Sequence, residues 1–454
     1  MDFGCIIDRR YKHSVVRVLA KDLSGNILAK AMGVAIGRNA QYIAAPLSIV
    51  LGNTQQWADR IEVLHFTGNK YESSIALIDE EKNLVILAPE AAPAPIVFAR
   101  EAEERPQIDV WSVSIDNEPN GGLTSSGQQI ALQNRLPYLQ LIESAGANLL
   151  RYQVEGFVEG GRIFANLARL SAAGLPVIAI VHGASTAGGA YMPGLSDYVI
   201  MVKGRAKAFL AGPPLLKAAT GEIANDEELG GAQMHTQVSG LGEYLADDDA
   251  QAIGIARNLM QRLGWQGNVH GQANPSARSG WLPPRYPREE LIGIMPADFR
   301  EPIDMREVIV RLIDDSDFLD FQPDYGPQTL VGHAAIEGYP IGIITNNGPI
   351  DTAGSNKATH FIQACCQAQI PLLYLQNTTG YMVGKASEQA GMIKHGSKMI
   401  QAVANASVPS ITIHCGASFG AGNYGMCGRG FGPRFFFSWP HAKTAVMGAE
   451  QAAK

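Results

Sequence analysis

His182-Gly183-Ala184-Ser185-Thr186-Ala187-Gly188-Gly189-Ala190-Tyr191 and Cys415-Gly416-Ala417-Ser418-Phe419-Gly420-Ala421-Gly422-Asn423-Tyr424 are two versions of one Gly-rich turn. Each follows a strand-like apolar run, Val177 to Val181 after Pro176 and Ile411 to Ile413 after Pro409, and each leads into what reads as a short helix. A strand that delivers a turn poor in side chains onto a helix start leaves backbone N–H groups free and aimed at one point. Such a turn can hold an oxyanion as it develops. Two turns imply two oxyanions.

The copies stay in register beyond the turn. Pro176 and Pro409, Gly183 and Gly416, and Tyr191 and Tyr424 are each 233 positions apart. Upstream, Leu136-Pro137-Tyr138-Leu139-Gln140-Leu141-Ile142-Glu143-Ser144-Ala145-Gly146 parallels Ile370-Pro371-Leu372-Leu373-Tyr374-Leu375-Gln376-Asn377-Thr378-Thr379-Gly380 at a spacing of 234. A period this long exceeds any solenoid repeat and reads as a duplicated domain. Both halves read as buried parallel strands alternating with helices, an α/β class.

Composition narrows the function. The 454 residues suggest about three domains of roughly 150 residues, with ample apolar content for cores. A net charge of −7, from 36 basic and 43 acidic residues with no dense basic stripe, argues against nucleic acid. Lys203-Gly204-Arg205-Ala206-Lys207 is the best local cluster for a phosphate-bearing ligand, although a solvated surface turn is the preferred reading of it. Five cysteines without metal-ligand spacing fit a reducing interior. The chain shows no membrane-length apolar run and no leader, so a soluble cytoplasmic protein is expected.

Three segments follow along the chain. Residues 1–118 look all-β, with short runs at Val15 to Ala20, Met32 to Gly37, Tyr42 to Pro46, Arg60 to Leu64, Ser74 to Ile78 and Leu84 to Leu87. Their order resembles the first barrel of trypsin-like and HtrA-like serine proteases, with Pro46 where that family carries its histidine and Asn83 where it carries its aspartate. The resemblance implies a non-catalytic module; a plain β-barrel is the alternative. Residues 119–290 are the first α/β half, with Gln128 to Asn134 ending a helix and Gly160 to Ala173 forming an amphipathic one. Gln272 to Arg288, with four prolines, reads as the linker to the second half, 291–454, whose helices are expected at Lys357 to Gln367 and Gly391 to Ala406.

No recognisable pattern joins a nucleophile to a base. Ser185 reads as a helix cap, and His182, His235, His360 and His414 stand in unrelated contexts. There is no His-Glu-x-x-His, no phosphate-binding Gly-x-x-x-x-Gly-Lys-Ser/Thr and no dinucleotide Gly-x-Gly-x-x-Gly after a strand. What remains is a site whose catalytic groups are main-chain donors. An enolate of a thioester needs that arrangement, each fixed N–H being worth about 3 kcal/mol. Gly188, Gly189, Ala421 and Gly422 would keep side chains out of the approach path. Tight packing of strand against helix is the rival use of the same glycines.

Six ordered stretches then point to one family: Ser185 to Pro193, Phe209-Leu210-Ala211-Gly212-Pro213-Pro214-Leu215-Leu216 to Glu222, Leu229-Gly230-Gly231-Ala232, Thr359-His360-Phe361-Ile362-Gln363, Tyr374 to Gly380, and Gly420 to Arg429. Over residues 121 to 453 the chain closely resembles the carboxyltransferase (β) subunits of biotin-dependent acyl-CoA carboxylases of the methylcrotonyl-CoA and geranyl-CoA type. The resemblance implies duplicated crotonase-like ββα-superhelix domains behind the small barrel-like module. It implies that carboxybiotin on a partner protein releases CO₂, and that the biotin left behind takes the proton from the acyl-CoA carbon. Gly188 and Gly189 would hold the thioester enolate, with Ala145, Gly146, Ala147, Gly160, Lys203 and Arg205 on the acyl-CoA side. Ala421 and Gly422 would hold the biotin ureido oxygen, with Phe419, Gly420, Thr379 and Gly380 beside it.

The same resemblance implies a site shared between two copies, a dimer as the minimal unit, a hexamer as the common assembly, and no metal. Gly396-Ser397-Lys398-Met399 is not a Met-Lys-Met biotinylation site, so biotin and biotin carboxylase are expected on another chain. Gly160 stands where the methylcrotonyl enzymes align a bulky aromatic, which leans toward a longer, geranyl-like acyl group. The family's usual entry segment is replaced by the protease-like sequence, and its domain normally continues past Val446 to Glu450. A non-catalytic scaffold and a biotin-independent acyl-CoA enzyme of the same fold are the rival readings. Keeping both turns favours the carboxyltransferase.

Overall fold

In the computed structural model of the protein, residues 15–21, 27–36, 42–46, 60–64, 70–79, 84–89, 122–144, 154–263, 280–296, 298, 300–448 and 453 are described. They fall in two compact units, Met1–Gly127 and Gln128–Lys454.

In the first unit, β1 (Val15–Lys21), β2 (Ile27–Ile36), β3 (Tyr42–Pro46), β4 (Arg60–Leu64), β5 (Lys70–Asp79) and β6 (Leu84–Pro89) pair antiparallel in the order β1-β2-β3-β6-β5-β4. The pairing of β1 with β4 closes the ring and leaves no free edge. Pro46 ends β3; Asn83 lies outside the described residues.

Helix α1 (Gly122–Gln133) crosses the boundary in sequence, and the second unit continues with β7 (Tyr138–Ser144), α2 (Val154–Ala172), β8 (Val177–Thr186), β9 (Tyr198–Val202) and β10 (Lys207–Phe209). Helices α3 (Pro213–Thr220) and α4 (Asp226–Gly230), β11 (Tyr244–Ala246) and α5 (Asp249–Arg262) complete the first half. Its sheet is wholly parallel, in the order β10-β8-β9-β11 with β7 also on β8. Every residue of β9 is buried, as expected of a parallel strand covered on both faces.

The second half carries β12 (Leu319–Asp320), β13 (Thr329–Ile336), β14 (Tyr339–Asn346), α6 (Thr352–Gln367), β15 (Leu372–Thr378), α7 (Met392–Ala404), β16 (Ser410–Phe419), β17 (Phe435–Ser438) and β18 (Lys443–Ala445). Its sheet is mixed: β12, β13 and β14 pair antiparallel, and the rest pair parallel. Asp248 and Asp351 accept from Gln251 and Gly354 N–H and so cap α5 and α6.

The numerical repeat of the sequence is also a repeat of elements. β8 and β16 begin and end exactly 233 positions apart, β7 and β15 are 234 apart, and α1 and α6 end at Gln133 and Gln367. Both helices are followed two residues on by a left-handed residue, Arg135 at φ 52 and Gln369 at φ 58.

The halves share a core. Tyr198, Ile200 and Leu259 of the first pack in one cluster with Val331, Phe361, Tyr374 and Met399 of the second. Phe321 sits edge-on to Tyr198 at 6.1 Å and tilted on Phe361 at 5.3 Å, adding specific ring geometry to the burial of surface. Among the described residues no helix is long and apolar enough to cross a membrane.

Candidate functional site

Both strands run further than the apolar pattern suggested. β8 continues through His182 to Thr186 because β10 takes up its flank at Ala184–Thr186, so half of the Gly-rich stretch is strand. Gly183 is a glycine for packing: a Cβ there would stand 2.7 Å from the Glu143 carboxylate, and at Gly416 it would collide with the Asn377 side chain. The neighbouring strands each bulge at the same place, between Ile142 and Ser144 and between Gln376 and Thr378, opening the sheet beside the turn.

The chain leaves β8 through Ala187 in the left-handed region, φ 56, and leaves β16 through Gly420 at φ 53. Alanine pays about 1 kcal/mol for that conformation and glycine pays little. The first turn is the 3₁₀ segment Ala187–Ala190, followed by the short helix Tyr191–Gly194; the second leads into Gly422–Gly425. Ser185 is not a cap. Position 186 holds the cap site, without a side-chain bond, and the Ser185 hydroxyl is buried with no partner among the described residues.

The four small residues of the turns differ in what surrounds them. A Cβ on Gly189 would lie 3.0 Å from Ser144 Oγ and 3.1 Å from Ser144 Cβ, and one on Gly422 would lie 2.8 Å from the Gly380 Cα and 3.0 Å from Thr378 Cγ2. Ser144 and Thr378 are themselves 234 apart, so each turn packs on the last residue of its neighbouring strand. Gly188 has room among the described residues, where a Cβ on it would find its nearest neighbour in Phe164 Cζ at 3.8 Å. Packing thus requires glycine at 422, admits a side chain at 189 only where Ser144 gives way, and leaves 188 open among the described residues. Gly189→Ala is accordingly expected to destabilise the protein by about 1–3 kcal/mol, read from denaturant midpoints at unchanged slope.

Around the second turn the expected residues come together. Gly380, at φ 118, lies against the Phe419 carbonyl, and its N–H donates to Thr378 Oγ1 at 3.2 Å. Gly420 N–H donates to Ala445 O of β18, and Tyr424 N–H to Ala421 O. The Ala421 N–H donates to no described backbone group. Asn423, which the sequence shows only as part of the turn, donates from Nδ2 to Ser418 Oγ at 2.8 Å and toward Gln376 Oε1 at 3.4 Å.

Around the first turn, Gly188 and Gly189 meet Ser144 and the α2 residue Phe164. Gly160 lies one turn before Phe164 on that helix, so the two share a face. Ala145, Gly146 and Ala147 lie outside the described residues. Lys203 and Gly204 form an exposed turn after β9, while Arg205 is held by Asp249 at 2.6 Å and Lys207 by Asp226 at 3.1 Å.

His235, His360 and His414 each have a partner within the fold. His235 bonds Ala208 O at 2.6 Å through Nε2 and Ser239 Oγ at 2.7 Å through Nδ1, bracing β10 beside the first turn. His360 lies 3.5 Å from the buried Glu243 carboxylate, and His414 bonds Thr444 at 3.2 Å. Burial lowers the basicity of all three and pushes the Cys415 thiol up, which makes that cysteine a poor nucleophile. Among the described residues no cluster of His, Cys, Asp or Glu could hold a metal ion.

With that geometry in place, relatives give it context. The chain is 55% identical to a "Probable biotin-dependent acyl-coenzyme A carboxylase beta2 subunit" of Mycobacterium tuberculosis, over 71% of this chain and 60% of the relative. It is 50% identical to the mitochondrial methylcrotonoyl-CoA carboxylase beta chain of Dictyostelium discoideum, over 72% and 55%. Among solved structures, the transcarboxylase 12S hexamer with methylmalonyl-coenzyme A and methylmalonic acid bound superposes at a TM-score of 0.68 and 33% identity, covering 73% of this chain and 64% of that one. The chain spans less than two thirds of the length of each of these relatives. Residues 111–454 match the family described as the carboxyl transferase domain, and the chain belongs to that family.

Proposed function

We propose that this chain is the carboxyltransferase component of a biotin-dependent acyl-CoA carboxylase, and that its two halves are crotonase-type units related by duplication. The observation that carries the reading is the pair of turns. Each leaves a strand through a left-handed residue at matched positions and opens a helix start with small residues. The amides at 188 and 189 stabilise the thioester oxyanion, and those at 421 and 422 the ureido oxygen. The second turn fits a flat ureido ring, because Gly420, Ala421 and Gly422 raise nothing larger than a methyl group there. Carboxybiotin, when bound, supplies the CO₂ and then the base. This chain's part is to orient the two carbonyls and spread their charge.

Phe164 of α2 borders the first turn, and Gly160, one turn earlier on that helix, is the position assigned to a longer unsaturated acyl chain. Lys203 and Arg205, on the exposed turn after β9, are the basic groups assigned to the CoA phosphates. A homo-oligomer, a dimer at least and a hexamer as in the transcarboxylase 12S structure, is supported by α3, which buries none of its residues and exposes its Leu215 to 59%, with Leu210 and Ile223 at 59% and 79% exposure on either side of it in sequence. The barrel with Pro46 serves as a non-catalytic module, and the partner is a biotin-carrying carboxylase subunit. Free thiols at Cys365, Cys366, Cys415 and Cys427 suit the cytoplasm.

The full chain is expected to decarboxylate a glutaconyl-type acyl-CoA only when free biotin is added, and, with its biotinylated partner, to carboxylate geranyl-CoA in preference to 3-methylcrotonyl-CoA. Decarboxylation indifferent to biotin overturns the reading. A preference for the short ester overturns only the acyl assignment.

A further inference from the structure

The two turns match in backbone and differ in what braces them. Beneath the second, Ser418 Oγ accepts from Asn423 Nδ2 at 2.8 Å, and the same amide reaches Gln376 Oε1 at 3.4 Å; Gln376 Nε2 in turn donates to Met426 O at 2.8 Å. Ser418 and Gln376 are both fully buried. Gly428 makes room for the Asn423 side chain, since a Cβ there would collide with Asn423 Oδ1, and its N–H donates to Asn423 O at 2.9 Å. At the corresponding places the first turn has Ser185, Ala190 and Ile142. The serine is kept, the amide and its second acceptor are missing, and the Ser185 hydroxyl is buried without a partner among the described residues.

We infer that Asn423 is the positioning residue of the second turn, tying it to Ser418 below and Gln376 on the next strand so that its amides are fixed before a ligand arrives, while the first turn is left to settle on its ligand. The inference rests on the reading of the two turns as oxyanion sites. Asn423 spends its side-chain amide on Ser418 and Gln376. It holds the turn in a network whose members are each other's partners.

The test uses the full chain and two readouts. Asn423→Ala is expected to speed hydrogen exchange across 419–424 at least about 10-fold without changing 186–191. It is also expected to lower kcat of biotin-dependent decarboxylation of a glutaconyl-type acyl-CoA at least about 10-fold, with KM for the ester unchanged within about two-fold. Because that variant strands the Ser418 hydroxyl, Asn423→Ala with Ser418→Ala removes both partners and is expected to recover the melting temperature. A kcat that stays low in the double variant supports positioning. A kcat that returns with the melting temperature, or an exchange rate at 419–424 that Asn423→Ala does not move, overturns it. Wild-type protein with no biotin-dependent turnover sinks the functional reading alone, since the exchange comparison needs no ligand.

Discussion

Replacing Gly188 by valine is expected to leave the melting temperature within about 2 °C of wild type and to cut turnover of an acyl-CoA ester at least about 100-fold. The first half of that expectation is steric. Among the described residues a Cβ at 188 meets only the Phe164 ring edge, at an ordinary 3.8 Å, and the residue is exposed with φ outside the left-handed region. Valine is also no worse than glycine in a helical turn. The second half follows from the proposed role. Branched carbons at 188 would stand beside the donors that stabilise the thioester oxyanion, and losing one such donor alone costs about 3–4 kcal/mol of transition-state stabilisation. Thermal unfolding and steady-state kinetics on the same preparation decide the matter. Unchanged turnover would leave glycine at 188 without a functional reason. A parallel fall in both quantities would mean that position 188 matters for packing, as 189 does.

The contrast between 188 and 189 shows what the sequence made legible. The offset of 233 was visible in prolines, glycines and tyrosines, and it reappears as strands with identical bounds, because a duplicated pattern of apolar runs dictates the same strand, turn and helix twice. Where the strands stop was not visible. Ala184, Ser185 and Thr186 carry no strand signal of their own, and pairing with β10, joined by Ser144 of β7 at Ser185, extends β8 through them. Likewise Ala187 and Gly420 adopt the same left-handed backbone although only the glycine advertises it.

The residues that lock the site were hidden for a different reason. Ser144, Thr378, Gln376 and Ser418 become meaningful only through partners on other strands, and a local pattern has no access to those. Ser185 illustrates the cost: its place before a helix suggested a cap, yet its hydroxyl is buried beneath the turn and does not reach the helix amides. The polar network between the halves was equally out of reach. His360 lies beside Glu243 of the first half, and Gln322 Nε2 donates to the same carboxylate at 2.9 Å across 79 positions. Spacing can propose which residues recur, and cannot say which of them meet.

That network supplies the second large effect, an acid-dependent loss of stability centred on His333. The side chain is 1% exposed, bonds the Tyr198 hydroxyl at 3.1 Å through Nε2, and packs on Phe361 at 4.9 Å. Burial, helped by the charge of Arg262, lowers its pKa from 6.5 to about 3. The folded state therefore holds the ring neutral while the unfolded chain takes up a proton below pH 6.5. The stability due to this group is fully present above pH 6.5 and is lost as pH falls toward 3, at about 1.4 kcal/mol per pH unit. At pH 4.5 the loss amounts to about 3 kcal/mol. His235, His360 and His414, also lowered by burial, act in the same direction. The buried carboxyls of Asp197, Glu243 and Asp320, raised chiefly by burial, oppose them, because they bind protons more readily folded than unfolded as the pH drops. The wild-type curve alone mixes these contributions, so the His333 part is read as a difference. His333→Gln keeps a partner for the Tyr198 hydroxyl and does not titrate. Its denaturant-derived stability is expected to fall short of wild type at pH 7.5 and to overtake or match it by pH 4.5, the gap closing by about 3 kcal/mol. Parallel curves for the two proteins across that range would mean that His333 is protonated within the fold, and the aromatic cluster between the halves would then have to accommodate a buried cation.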